Sequence, residues 1–249
     1  MRATILLGLS VLLLPRPASA DPYTDGLAAR ERKDWAACTT LLVSSAAPPA
    51  WPSLRAARLQ GAAGCAAQAG SADEAFRLLR LATEDGLLLT DRVVADAFLA
   101  PLRTDPRWES MLAASRTAEA ALRRTIGDPA LRIELLDMRD EDVATRYRLF
   151  AGRVGPAEAA ELATMSARHV ARLKEVLDQG RFPGIALVGK DGEQSAFILA
   201  QHADEDRPFQ KRYLERLSAA VKAGDAAPGG SSRPTTRGGT RSARMRPSR

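Results

Sequence analysis

The sequence holds only two cysteines and two histidines among 249 residues. Nothing approaches CxxC or HxxxH spacing, which excludes a conventional zinc site, and no metal ligand set is expected. A Ser-nucleophile motif, a Walker loop and a dinucleotide fingerprint are also missing, and no cofactor is expected. Gly189-Lys190-Asp191-Gly192 has too few glycines in register for a phosphate loop and reads as a turn. No apolar run reaches the ~18–20 residues that span a bilayer, so no transmembrane segment is expected.

Net charge is lacking where it would matter. The chain totals 36 Lys+Arg against 30 Asp+Glu, and its pI of about 9.8 suggests a polyanion partner. Residues 1–20 hold Arg2 and Arg16 and no acid, and residues 226–249 hold six Arg and no acid. Removing both ends leaves 28 bases against 30 acids in 21–225. A basic-patch argument for nucleic acid fails on a body of that charge, and no specific nucleic-acid partner is expected.

What is present begins with an address. Arg2 is followed by a short apolar run over 5–14 and by Ala18-Ser19-Ala20, a small-x-small cleavage pattern. Residues 1–20 read as a secretory signal peptide, with the mature chain starting at Asp21. No cysteine follows the cleavage site, so a lipid anchor is not indicated. Arg outnumbers Lys 31 to 5, a codon bias of GC-rich bacteria that favours the periplasm over free secretion. Cys38 and Cys65 read first as a disulfide in an oxidising compartment. The other reading is two buried thiols on small-residue helix faces.

The fold class is all-α. Helices are expected over 23–32 and 35–45, then around Leu54, Leu59, Ala62 and Ala66, then from a Ser71 cap through Leu78, Leu79 and Ala82. Pro48-Pro49, Gly70 and Gly86 are breaks. A helical tail follows over 91–102 and from Asp105-Pro106 to Leu112, with Asp105 as the cap. Trp35, Trp51 and Trp108 are expected in the core. Residues 113–130 read as a linker ending in Gly127-Asp128-Pro129. A second part runs from Leu131 to Met138, through a polar stretch over 140–150, and into a long amphipathic helix over 156–177. An apolar helix over 196–203 ends at His202. From 225 the chain holds mostly Gly, Ser, Pro, Thr and Arg and reads as a disordered tail with weak, salt-sensitive attraction to anionic surfaces.

Two resemblances follow from these residues. Asp34-Trp35 with Ala37 and Leu41, then 62–66, Gly70 and 75–79, resemble degenerate tetratricopeptide-type repeats, whose small residues let helices cross closely. That implies a repeat region over 21–125 and places Cys38 and Cys65 on neighbouring helices. Gly180-Arg181-Phe182-Pro183-Gly184, Val188-Gly189, Gln201-His202-Ala203-Asp204 and Gln210 resemble a bacterial domain of unknown function, number 6624. An earlier helix with Asp142 and Arg146 belongs to that pattern, which covers 131–224. The resemblance implies no reaction. Related domains continue into an Asp-Arg segment and a Gln-x-Tyr-Gly-Thr-Gln-like element that this chain does not show, so an incomplete or inactive copy is expected if that element completes the site.

The candidate site follows from the same cluster. His202 at a helix end is favoured in its charged form by the helix dipole and stands close enough to pair with Asp204 or Asp206. His202 and Asp204 are the catalytic candidates. Asp142, Arg146, Gln201 and Gln210 are the ligand-binding candidates. The competing reading is structural: a helix-end cap plus an ordinary i,i+4 ion pair. His169, in the long helix, is expected to be exposed or half-buried. The functional expectation is an exported protein or peptide interaction module, and the alternative is an extracytoplasmic hydrolase centred on His202.

Overall fold

The computed structural model describes residues 21–47, 52–84, 86–150 and 155–227. The expected signal peptide, Trp51, the Pro48-Pro49 break, the Gly152 break and the tail beyond 227 lie outside the described residues. Everything described is helix, turn or coil. The helices are α1 (Pro22–Glu31), α2 (Trp35–Ser45), α3 (Pro52–Gln68), α4 (Ala72–Thr83), α5 (Thr90–Ala95), a 3-10 turn (Ala97–Leu102), α6 (Arg107–Arg123), α7 (Pro129–Phe150), α8 (Pro156–Asp178), α9 (Ile185–Gln201) and α10 (Arg207–Lys222).

Aspartates start four of these helices. Asp21 accepts from the Tyr23 and Thr24 amides, and Asp34 from Ala37. Asp128 accepts from Leu131, and Asp206 from Phe209. Each such cap offsets an orphaned helix amide and contributes about 1 kcal/mol. Ser71 stands at the start of α4, but its hydroxyl makes no capping bond. Asp105 meets its expectation in substance: its carboxylate accepts the Arg107 amide at 2.9 Å and pairs with that guanidinium.

Several expected boundaries move. The 91–102 segment is two pieces, because extended Asp96 ends α5 and its carboxylate caps the 3-10 turn at Phe98. The linker expected over 113–130 shrinks to 124–128, since α6 continues to Arg123, with its alanine-rich second half running on past buried Ser115. The polar stretch over 140–150 continues α7 without a break.

Two clusters of buried apolar side chains result. The first draws on α1 to α6, with Leu42, Ala62, Leu78, Leu79, Leu99 and Trp108 at its centre and Trp35 packed against it. Successive helices α1 to α4 pack side by side. The approach of the 3-10 turn to α3 is close: a Cβ on Gly64 would stand 2.8 Å from the Phe98 Cβ. Cys38 on α2 and Cys65 on α3 form a disulfide, fully buried in this cluster.

The second cluster joins α7 to α10, with Leu135, Leu173, Val188, Phe197, Phe209 and Tyr213. Helix α9 is its central element and touches α7, α8, α10 and also α3 of the first cluster. It is kinked at Gly189, whose φ of 74° lies in the left-handed region that only glycine enters cheaply. The expected turn at 189–192 is therefore one residue wide, and Lys190 to Gly192 are already helical.

Arg92 on α5 ties the two clusters together through ion pairs to Asp137 and Asp140 on α7.

Candidate functional site

The C-terminal end of α9 leaves backbone carbonyls that the helix itself does not fully satisfy. Side chains from two other helices reach them. Gln210 on α10 donates its Nε2 to the Ala200 carbonyl at 3.2 Å and to the Gln201 carbonyl at 2.9 Å. Arg146 on α7 donates an Nη to the His202 carbonyl at 3.3 Å. Both residues were expected to bind a ligand. Their visible work is to cap α9 and lock it to its neighbours.

Asp142 sits one turn before Arg146 and is 1% exposed. The Arg146 Nε donates to its carboxylate at 2.9 Å. The imidazole of His202 meets it at 2.5 Å through Nδ1. Burial alone would raise the Asp142 carboxyl, but the His202 hydrogen bond and charge, with Arg146, outweigh it and hold the group below its ordinary value. Asp142 is thus ionised and can only accept, so the His202 Nδ1 carries the proton. That fixes the ring orientation and leaves Nε2 facing away from Asp142 with no hydrogen-bond partner among the described residues.

His202 was expected to pair with Asp204 or Asp206, and it pairs with neither. The chain turns sharply after α9, and Asp206 caps α10 and bonds Lys174 at 2.5 Å. Asp204 and Glu205 are exposed and have no partner among the described residues. Spacing along the chain suggested the wrong acid, because the fold delivers Asp142 from sixty residues away.

His202 faces a cavity of about 530 Å³ between α8 and the α9–α10 turn. Arg146, Lys174, Asp204 and Asp206 share its rim. Its wall is one face of α8, where Leu162, Ala163, Ala167 and Val170 recur at helical spacing. On the other side of Asp204 lies a second cavity of about 270 Å³, bordered by Gln201, Gln210 and Leu214. The Gln-His-Ala-Asp motif therefore straddles a ridge: His202 looks into one hollow, Gln201 into the other, and Asp204 into both.

Residues 129–233 match one family model. It is DUF6624, a family of unknown function. The match begins with α7, so Asp142 and Arg146 belong to the DUF6624 segment as much as the 201–204 motif does. No curated protein and no solved structure matches the chain.

Two features of this segment escaped the sequence. His169 is 2% exposed rather than half-buried, and its Nε2 lies 3.0 Å from Glu141. Polar residues also fill the first half of α9: Asp191, Glu193, Gln194 and Ser195 are all buried. Asp191 pairs with Arg132 of α7 at 2.6 Å, both essentially without solvent contact. The one available signal was Arg132, an arginine directly beside Leu131 at the start of the Leu131, Leu135 and Leu136 apolar face.

Glu193 has a measurable consequence. Burial pushes its carboxyl up to about 7, the Ala227 amide opposes this, and nearby Asp225 adds to it. A carboxyl raised in the folded state stabilises fully below its unfolded value. That stability is lost as the pH rises from about 4.5 to about 7. Glu193→Gln keeps the shape and removes the titration. We expect the variant to equal the native chain near pH 4 and to exceed it by about 3 kcal/mol at pH 8, on the scale of 1.36 kcal/mol per unit. Urea midpoints at both pH values check this, and parallel stability curves would contradict it.

Proposed function

We propose that this is an exported interaction module whose binding site is the groove between α8 and the α9–α10 turn. The carrying observation is the convergence at that groove of a free imidazole nitrogen, an oriented arginine and an uncovered apolar helix face. A histidine needed only as a helix cap would point its ring at a carbonyl. Here Arg146 and Gln210 serve the carbonyls, and the ring is held by Asp142 instead. That division of labour favours a ligand role for His202 over a purely structural one.

The repeat-like packing of α1 to α4 supports a two-part organisation, with 21–125 as a scaffold and 131–224 as the binding part. Export is supported by the leader-like residues 1–20 and by the buried Cys38–Cys65 bridge, which an oxidising compartment would maintain. No described helix is long and apolar enough to cross a membrane.

The test is comparative capture from envelope extracts. Leu162→Asp places a charge on the groove wall at a half-buried position. Native protein should retain partners that this variant loses at least tenfold, with unchanged circular dichroism. Equal retention by both proteins would refute the groove as the site.

A second reading is favoured by one observation, the Asp142–His202 hydrogen bond. A carboxylate-oriented imidazole with a free Nε2 is the arrangement of a general base that activates water. Turnover on a panel of ester, phosphoester and peptide chromogens, abolished in His202→Gln, would favour this hydrolase reading over binding alone.

A further inference from the structure

The groove described above is lined by groups whose charges do not cancel. Its cations are both committed: Arg146 to Asp142, and Lys174 to Asp206 at 2.5 Å. Two carboxylates at its rim, Asp204 and Glu205, have no partner among the described residues. Asp204 and Glu205 are thus two carboxylates at the rim to which no cation is bound among the described residues. Arg207 lines the second hollow and not this groove, and it donates to the Gln210 side-chain oxygen at 3.0 Å. The α8 face opposite the carboxylates is alanine, leucine and valine, interrupted by Ser166 and closed by Lys174.

An apolar wall about two helical turns long, facing unpaired carboxylates, selects for an amphipathic cation. An anionic ligand would instead meet two uncompensated carboxylates at a few ångström.

We propose that the groove takes a peptide segment of a partner protein in which an apolar residue lies on Leu162 and Val170 and an arginine or lysine reaches Asp204 and Glu205. Resting on the binding groove proposed above, this names the chemistry of its ligand. Asp204 is then the residue that determines specificity. Because Asp204 also borders the second hollow, the peptide continues past it toward Gln201, whose exposed side-chain amide meets the peptide backbone. Exposed carboxylates are screened by salt, so the preference for a cation shrinks as ionic strength rises.

The experiment uses the full chain and three fluorescein-labelled decapeptides that share an Ala/Leu frame and differ at one central position: Arg, Gln or Glu. Fluorescence anisotropy at low salt should rank them Arg, Gln, Glu, with about tenfold between the first and last. Asp204→Asn should compress that ratio to about twofold at most, and 0.5 M salt should do the same. Leu162→Asn, which removes the apolar contact without adding charge, should weaken all three together. If the peptides bind the native chain equally, the cation proposal fails and the groove stands. If none binds, or Leu162→Asn leaves binding unchanged, the groove reading itself fails and the proposal with it. A preference for Glu would overturn the assigned polarity.

Discussion

Replacing Asp191 by alanine lowers the stability of the protein by about 3–5 kcal/mol. The reason is Arg132. Its guanidinium is 0% exposed and sits on α7, donating Nε and one Nη to both Asp191 oxygens at 2.6–3.0 Å. Without the carboxylate a full positive charge stays in the core, and its other Nη already lacks a partner. Asp191 also accepts its neighbour Gly192 amide, so the substitution loosens the first turn after the Gly189 kink as well. The pair as a whole is a weak stabiliser, because desolvating two charges consumes most of their attraction. The double variant Arg132→Met, Asp191→Leu is therefore expected to recover most of what Asp191→Ala loses. Chemical denaturation of the three proteins checks this. A single variant within 1 kcal/mol of native would show that water reaches the pair.

Reducing the Cys38–Cys65 bridge comes next in size. The cysteines are 27 residues apart, and closing that loop restricts the unfolded chain by about 3.5 kcal/mol in the chain-entropy model. The bridge joins α2 to α3 inside the first cluster, so the loss falls on the scaffold that carries α9 through its contact with α3. Cys38→Ala with Cys65→Ala should lower the melting midpoint by roughly 10 °C, from about 2–4 °C per kcal/mol for a chain of this size. The native protein should lose the same amount in reductant after brief unfolding. A midpoint indifferent to reductant would contradict the bridge and weaken the argument for export.

Much of the helical plan was legible because its signals are local. The Asp105 cap, the Asp128-Pro129 helix start, the glycine break at 70 and the period-3.6 apolar residues in α4 and α8 act within a turn or two, whereas the caps at Asp21, Asp34 and Asp206 went unread. The family resemblance was legible too, since the 201–204 motif survives as a contiguous string. What stayed hidden depends on which residues meet across the chain. The Asp142–His202 bond spans sixty residues, and nothing in the 201–206 segment reveals that Asp204 and Asp206 face elsewhere. Helix α9 misled for a related reason. Its Asp191 to Ser195 stretch has the polarity of a surface turn, yet it is buried at the centre of a bundle, where Asp191 pairs with Arg132 and Ser195 donates to the Asp191 carbonyl. The same centrality buried His169 on the facing side of α8.

The groove is the claim on which the functional account stands, and cross-linking from inside it is the most direct test. A photoreactive phenylalanine analogue at Ala163 points from the exposed α8 face into the groove. The same analogue at Ala121, exposed on α6, serves as the control. Irradiated in envelope extract, the Ala163 protein should give a discrete adduct that mass spectrometry identifies and that Asp204→Asn reduces several-fold, while Ala121 gives none. Adducts from Ala121 with none from Ala163 would place the partner elsewhere and contradict the account.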